Sequence, residues 1–285
     1  MLGFMPFFNK RRDFIKQSLG LLALSMINPF KLFANTKIKE INMIQIQKKA
    51  EQFNTTIFNG NFLVNKPVAS GTKLSVKPYS NLFYWSHAVA IDDCEFGLHP
   101  HEGFEIMTFI IEGQVTHYDT ASKVWTPLET GDFQVIQSNK GIQHQERITK
   151  GTRSFQIWFD PSFYDAVKLT PSYIDYHSKD FKSVEIDGIK TVSYIGEDSS
   201  TKALTPNLTI KKLTFDNQTK KEIALNASMS YTFYVLNGKG LAAHQAIEKD
   251  DAIRISNTTN LQIDFQGELF YIETPTEIEY KPIWK

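Results

Sequence analysis

Residues 98–119 read LHPHEGFEIMTFIIEGQVTHYD, and this stretch decides how the rest of the chain is interpreted. Two histidines, His99 and His101, stand two positions apart and are followed by a run of apolar and β-branched residues. Such a run, ended by the turn-forming pair Glu112-Gly113, predicts a β-strand followed by a hairpin turn. Because alternate residues of a strand point to the same side, His99 and His101 are expected to face the same way.

A second pair with the same spacing, His144 and Glu146, lies in the segment GIQHQE at 141–146. If both pairs line the interior of one barrel, three imidazoles and one carboxylate converge there. This donor set suits a divalent first-row transition metal and leaves positions open for water or substrate. The sequence therefore predicts a metal site formed by His99, His101, His144 and Glu146.

The chain after about residue 36 has the pattern of an all-β protein, with short β-branched and aromatic runs separated by Gly, Asn, Asp and Pro. Residues 44–53 could form a strand or a short helix, and we expect residues 161–184 to be a connector. IMTFIIEGQVTHYD and SYTFYVLNGKGLAAHQ share an order of apolar strand, x-Gly turn and second strand. This weak repeat, with a period of about 125 residues, predicts two tandem antiparallel β-sandwiches or barrels.

Charge and cysteine content exclude some classes of function. The 31 basic and 31 acidic residues give a formal net charge of zero, which argues against a surface for nucleic acid. Cys94 is the single cysteine, so the chain can form neither an intrachain disulfide nor a cage of thiolates around a metal. A bound metal would have to use imidazole and carboxylate ligands.

The N-terminal segment differs in composition from the rest of the chain. Arg11-Arg12-Asp13-Phe14-Ile15-Lys16 resembles the twin-arginine pattern of bacterial Tat signal peptides, and an apolar run follows at 19–27. That run is shorter than the roughly 20 residues that span a bilayer. We expect residues 1–34 to be a Tat-type leader of an exported, periplasmic protein with no stable membrane anchor after cleavage. The alternative is an amphipathic N-terminal helix that stays attached.

The motifs in the middle of the chain resemble those of the pirin family of the cupin superfamily. HPHEGFE at 99–105 is similar to the pirin pattern His-Pro-His-Arg-Gly-Phe-Glu, with Glu102 in place of the arginine. Glu112-Gly113, His117-x-Asp119 and Gly131-Asp132-x-Gln134 follow in the family order, and GIQHQE at 141–146 closes it. The resemblance covers roughly residues 71–176 and fades in the second half of the chain.

The resemblance implies two tandem cupin domains, of the β-sandwich or jelly-roll barrel type. We expect a metal-binding domain at 35–165 and a degenerate domain without metal ligands at 166–285. The same four residues, His99, His101, His144 and Glu146, are implied as ligands of one divalent transition metal. Fe(II) is the first choice, with Cu, Ni, Zn and Mn as alternatives, and Glu105 ranks second as a carboxylate ligand.

Two functions are consistent with this resemblance. The first is a quercetinase-type dioxygenase, in which the metal binds the oxygens of a flavonol or related phenolic, Glu146 acts as ligand and catalytic base, and O₂ opens the ring. The second is a non-enzymatic metal-binding pirin that serves as a redox sensor or a protein-interaction module. In either case we expect a monomer that does not bind nucleic acid. Glu102, at the expected mouth of the pocket, is the first place to look for altered substrate preference.

The remaining histidines and the cysteine are assigned structural or surface roles. His87 is expected at a strand position, His177 in the connector and His244 in the second repeat, all without a function at the metal. For His117 two roles stay open, a hydrogen bond that stabilises a turn and a place in the pocket. Cys94 is expected to be a buried, unreactive thiol.

Overall fold

β-Strands make up almost all of the regular structure. The structure is a computed structural model that describes residues 43–71, 73 and 76–285, all within one compact unit, 40–285. The predicted leader at 1–34 lies outside the described residues. None of the helices in the described part of the chain is long and apolar enough to cross a bilayer.

The first domain consists of two antiparallel sheets that face each other. The smaller sheet has four strands, in the order β5 (Cys94–His101), β10 (Ile142–Ile148), β7 (Gln114–Asp119) and β8 (Trp125–Glu129). The larger sheet has seven, in the order β12 (Ser172–Tyr176), β9 (Phe133–Gln137), β6 (Glu105–Glu112), β11 (Arg153–Phe159), β4 (Leu82–Ala90), β3 (Phe62–Val68) and β2 (Phe53–Ile57).

The second domain is built on one sheet of eight strands. Its order is β1 (Met43–Gln47), β18 (Ala252–Ser256), β16 (Met229–Ala242), β19 (Asn260–Pro275), β15 (Thr209–Ala224), β14 (Ile189–Ile195) and β13 (Ser183–Ile186), and β17 (Gln245–Glu248) pairs with β16. The prediction of an all-β protein with two tandem β-sandwich domains is confirmed. The segment 44–53, left open above, begins as β1 and continues into a single 3₁₀ turn at Lys49–Glu51.

Strand pairing crosses the predicted domain limits at two places. β1 joins the sheet of the second domain through β18, although it precedes the first domain in sequence. β12, which lies beyond residue 165, pairs with β9 of the first domain. The expected connector at 161–184 therefore contains a strand, as well as the short helix α1 (Phe163–Ala166). The boundary between residues 165 and 166 itself stays a prediction.

The seven-stranded sheet is covered on both faces, which explains the composition of its central strand. In β6 the residues from Glu105 to Ile110 are all buried, so polar and apolar residues do not alternate. One face packs against the four-stranded sheet. The other face packs against the second domain in the largest apolar cluster of the described residues. Both faces of a buried sheet select apolar residues, and the strand accordingly reads as a continuous hydrophobic run.

One predicted turn is wrong. The x-Gly pair Asn237-Gly238 was expected to end a strand, as Glu112-Gly113 does in the first domain, but it lies inside β16. The register of β16 against β19 shifts between Val235 and Asn237, which is the signature of a β-bulge. Gly238 has φ +90°, and a Cβ on it would come within 2.0 Å of the carbonyl oxygen of Gln266. The glycine thus permits a close approach of two backbones rather than a turn.

A buried polar network connects the two domains at His87. The ring Nδ1 lies 2.9 Å from Oδ1 of Asn65, whose amide nitrogen donates to Gln52 and Tyr234. The oxygen of Asn65 is therefore the acceptor and His87 Nδ1 the donor. His87 is 1% exposed, and this burial lowers its pKa to about 3, against the opposing charge of Asp250 at 3.6 Å.

We expect acid to destabilise the protein through His87. In the unfolded chain a histidine takes up a proton below about pH 6.5, whereas in the folded protein His87 stays neutral down to about pH 3. The unfolded state binds the extra proton in this window, so the free energy of unfolding falls as pH decreases, by about 1.4 kcal/mol per pH unit. Urea denaturation of the parent protein and of His87→Gln at neutral and mildly acidic pH measures the effect. The parent should lose more stability than His87→Gln, with His177→Gln, an exposed histidine, as the matched control; equal losses in all three would contradict the prediction.

Candidate metal centre

Strand register brings the two predicted pairs together. Alternate residues of β10 face inward, and they include both His144 and Glu146. Across the β5–β10 pair His144 stands directly opposite His99, and across the β7–β10 pair Glu146 stands directly opposite His117. Side chains directly opposite on neighbouring strands lie within contact distance. The ligand pair on β10 thus faces His99 on one neighbouring strand and His117 on the other.

Three imidazoles form the outer part of the site. The ring centroids of His99 and His144 are 4.3 Å apart, those of His101 and His144 4.8 Å, and those of His99 and His101 4.9 Å. The nitrogen atoms that these rings offer all lie within 4.8 Å of one another. His99 is oriented by its Nδ1, which lies 2.8 Å from the carbonyl oxygen of Gly97. Such spacing is compatible with three ligands of one metal ion.

His144 carries the clearest sign that the site is built for a ligand. The side chain is fully buried, yet neither ring nitrogen has a hydrogen-bond partner among the residues that the structure describes. Buried polar atoms without a partner are rare in folded proteins and call for an explanation such as an ion. Burial holds the pKa of His144 well below its usual range, against the opposing charge of Glu146. Burial also lowers the pKa of His101 to about 4, to which the positive charge of His99 adds. Neutral imidazoles are the form that binds a metal.

Glu146 lies beside the three imidazoles but is turned toward a fourth. Its Oε1 is 3.0 Å from Nε2 of His117, 3.1 Å from Nε2 of Gln156 and 3.9 Å from Nδ1 of His144. Burial raises the pKa of Glu146, but the positive charge of His117 and a hydrogen bond from that ring outweigh it and lower the pKa to about 2. The carboxylate is therefore ionised at neutral pH. His117, His144 and Glu146 form a second, fully buried group of potential ligands that shares His144 with the first.

Of the two roles left open for His117, the role at the turn is filled by Asp119. Asp119 stabilises the turn, because its Oδ1 accepts from the backbone N–H groups of Ala121 and Ser122 at 2.7 and 2.8 Å. His117 is fully buried and faces Glu146. The pocket role is the one that the structure supports for His117.

Glu105 is not part of the cluster. Its carboxylate accepts hydrogen bonds from the backbone N–H groups of Leu204 and Thr205 at 2.7 and 2.8 Å, from the Thr205 hydroxyl and from Gln137. These bonds attach a loop of the second domain to the first, and burial raises the pKa of Glu105. Glu105, ranked second as a carboxylate ligand, is therefore not available to a metal, because its oxygens already accept hydrogen bonds from this loop.

Sequence reasoning assigned no role at the site to three residues that lie near it: Gln134, Gln156 and Trp158. Gln156 and Trp158 stand two positions apart on β11 and share a face, and the ring of Trp158 lies 5.5 Å from that of His101. The alternation of FQIWF at 155–159 could have identified this face, since Phe155, Ile157 and Phe159 point away from it into the interdomain cluster. Nothing in the sequence indicates that a glutamine there contacts the carboxylate of Glu146.

Aromatic rings and a surface pocket adjoin the histidines. The ring of Phe104 is 5.5 Å from that of His101 and 5.2 Å from that of Trp158. An open pocket of about 390 Å³ lies beside His101, and Glu102 is the acidic residue at its wall. Its lining residues are Pro100, His101, Glu102, Thr120, Gly141, Ile142 and Gln143.

The other residues considered above lie away from the site. His177 is half exposed and pairs with Asp132 at 3.2 Å, His244 is exposed, and Cys94 is buried. His87 lies at the domain interface. None of these four residues belongs to the groups of potential metal ligands found among residues 43–71, 73 and 76–285.

Comparison with known proteins places this site in a family context. Residues 69–159, which contain all four predicted ligands, match the family model described as Pirin. A quercetin 2,3-dioxygenase from Escherichia coli K12 is 37% identical over 82 residues, which cover 27% of this chain and 33% of that protein. A pirin-like protein from Solanum lycopersicum is 34% identical over 107 residues, which cover 37% of this chain and 36% of that protein. The chain spans about a third of the length of the curated relatives that it matches.

The fold extends beyond the matched segment. The crystal structure of the bacterial pirin YhhW from Escherichia coli in complex with nickel(II) aligns over 82% of this chain and 100% of that chain. The TM-score is 0.68 at 21% sequence identity, so this likeness concerns the fold alone.

Proposed function

We propose that this chain, whose residues 69–159 match the Pirin family model, is a metal-dependent dioxygenase that acts on a small phenolic compound with O₂. The observation that carries the proposal is the convergence of His99, His101 and Glu146 on His144, whose two buried ring nitrogens have no hydrogen-bond partner among the described residues. A donor set of imidazoles and one carboxylate is typical of non-haem metal sites that react with O₂. The relatives named quercetin 2,3-dioxygenase support a phenolic substrate.

His99, His101, His144 and Glu146 are the residues that would hold the metal. Fe(II) is our first choice, because imidazole and carboxylate ligands with open positions suit O₂ chemistry at iron. Cu, Ni, Zn and Mn are the alternatives, and the nickel(II) complex of the Escherichia coli pirin supports a divalent transition metal. When bound, the metal supplies a Lewis acid for the phenolic oxygens and a path for electrons to O₂.

Residues of the chain accept the substrate proton, contact the substrate ring and line its access route. Glu146 is ionised and accepts the proton of the phenolic hydroxyl at Oε2, the oxygen that His117 and Gln156 leave without a hydrogen bond. Phe104 and Trp158, whose rings lie beside His101, offer apolar faces to an aromatic substrate. The pocket of about 390 Å³ next to His101 gives the substrate access, within the range of roughly 300–1,000 Å³ usual for small-molecule sites.

Export through the Tat pathway to the periplasm is part of the proposal and rests on the leader-like residues Arg11–Lys16. The monomeric state is also part of the proposal. The absence of a nucleic-acid partner is part of it as well and rests on the formal net charge of zero. N-terminal sequencing of protein recovered from the periplasm would test the first. A product that begins near residue 35 is expected, and a full-length cytoplasmic product would contradict it.

Metal analysis followed by turnover tests the activity. Freshly isolated protein should contain a bound divalent metal and should consume quercetin, or a smaller catechol-type phenolic, under O₂. His101→Ala should lose both metal and turnover. Isolated protein without metal would overturn the proposal entirely. Metal without turnover of any phenolic would overturn the dioxygenase and would favour the binding module considered in the sequence analysis.

Glu102 is expected to select against anionic substrates. It is exposed at the pocket wall next to His101, where the pirin motif has a basic residue. A unit charge a few ångströms from a bound carboxylate changes affinity about threefold to tenfold in a largely aqueous setting. Glu102→Gln should therefore lower the KM for 3,4-dihydroxybenzoate by that factor and leave the KM for uncharged catechol unchanged. Glu95→Gln is the control, because Glu95 lies on β5, the strand that precedes Glu102, and pairs with Arg147 outside the pocket. An equal shift for both phenolics would refute a charge effect.

A further inference from the structure

The two oxygens of the Glu146 carboxylate are in different environments. Oε1 lies 3.0 Å from Nε2 of His117 and 3.1 Å from Nε2 of Gln156. No hydrogen bond to Oε2 is found among the residues that the structure describes. The contacts at Oε1 fix the orientation of the carboxylate, and Oε2 remains available as an acceptor.

The orientation of His117 is set by a buried chain of hydrogen bonds. The Nδ1 of His117 contacts Oε1 of Gln134, and the amide nitrogen of Gln134 donates to Oδ1 of Asp175 at 2.8 Å and to the Tyr173 hydroxyl at 2.5 Å. An ionised carboxylate can only accept, so Asp175 fixes which end of the Gln134 amide is the donor. The oxygen of Gln134 must then face Nδ1 of His117, and the Glu146 carboxylate faces Nε2, so both partners of the ring are acceptors and the ring meets them with an N–H on each side. Both His117 and Gln134 are fully buried, so water does not compete for these bonds.

Gln156 reaches the same carboxylate from the opposite sheet. It lies on β11 of the seven-stranded sheet, whereas Glu146 and His117 lie on β10 and β7 of the four-stranded sheet. The amide nitrogen of Gln156 is the donor end of its side chain, and it lies 3.1 Å from Oε1 of Glu146. Oε1 is therefore held between the two walls of the barrel.

We infer that His117 and Gln156 are positioning residues, which hold Oε1 of Glu146 and so fix its carboxylate beside His144 as a ligand of the same metal ion. Gln134 contacts the Nδ1 of His117, and Asp175 accepts a hydrogen bond from Gln134. This inference rests on the metal site proposed above and adds the residues that orient its carboxylate. Groups that orient a ligand in this way contribute to metal affinity, and their replacement typically weakens binding about 10- to 100-fold.

Cobalt(II) binding tests the inference with a readout independent of catalysis. The dissociation constant is measured by competition with a chelator, and the visible absorption of the bound Co(II) reports the coordination of the ion. His117→Gln and Gln156→Leu should each weaken Co(II) binding about 10- to 100-fold. Each should also alter the absorption of the bound Co(II), because Oε1 of Glu146 loses one of the two contacts that orient the carboxylate. Gln134→Leu, which leaves both contacts of Glu146 in place, should have a smaller effect in the same direction.

Matched controls separate positioning from general damage. Gln145→Leu changes a glutamine next to Glu146 that bonds to Glu95 away from the barrel interior, and His177→Gln changes a histidine bonded to Asp132. Both should keep the parental Co(II) affinity and spectrum. Circular dichroism and urea denaturation of the metal-free variants verify that each one folds.

Each other outcome overturns a specific statement. Parental affinity and spectrum in both His117→Gln and Gln156→Leu would overturn the positioning role. If His117→Gln loses Co(II) as completely as His144→Ala, His117 is a ligand of the inner group and the inference is also wrong. If instead His99→Ala and His144→Ala keep the metal, the proposed site itself fails, whatever the other variants do.

Discussion

Replacing His144 by leucine abolishes metal binding and leaves the metal-free protein at least as stable as the parent. His144 belongs to both groups of potential ligands, and its ring lies within 4.8 Å of the rings of His99 and His101. Its loss should weaken metal binding by more than the roughly 100-fold typical of supporting residues. In the metal-free protein, however, the ring buries two nitrogens that have no hydrogen-bond partner in the described part of the chain. Such groups cost about 1–3 kcal/mol each, so a leucine of similar size should not lower the free energy of unfolding.

Competition titration with Co(II) and urea denaturation in the presence of a chelator measure the two effects separately. His177→Leu, at a half-exposed histidine outside the site, should leave the metal affinity at its parental value. A His144→Leu variant that keeps its metal, or one whose metal-free form is destabilised by more than about 2 kcal/mol, would show that the ring has a structural role.

Trp85→Ala is expected to produce the largest loss of stability. Trp85 on β4 is fully buried in the interdomain cluster, with ring centroids 5.2 Å from Phe155 of its own domain and 5.7 and 5.8 Å from Tyr234 and Phe270 of the second. Truncation of a buried tryptophan leaves a cavity and costs about 3–5 kcal/mol. Because the cavity opens between the domains, both should lose stability together.

Urea denaturation followed by tryptophan fluorescence and by circular dichroism measures this effect. Trp125→Ala is the control, because Trp125 is half-buried and stacks under Arg147 at 4.0 Å. This exposed contact is worth less than about 1 kcal/mol. If Trp85→Ala cost no more than Trp125→Ala, the interdomain cluster would not be a core that stabilises both domains.

Local sequence was sufficient for strands whose turns are made by adjacent residues. Glu112-Gly113 ends β6 as predicted, and the spacing of His144 and Glu146 places both on the inner face of β10. The same reasoning failed at Gly238, because its role depends on Gly267 of β19, which is remote in sequence. It also assigned β12 to a connector, since the partner that makes this segment a strand is β9.

By itself the sequence determined the all-β fold and the two pairs of potential ligands, because side-chain alternation along a strand is a local property with a period of two. Only the tertiary structure decided which residues surround Glu146. The contacts of His117 and Gln156 join three strands from two sheets, and the acceptor capacity of Glu105 is taken up by a loop of the second domain. Hydrogen bonds between distant strands depend on sheet order and register, which no local pattern of residues encodes.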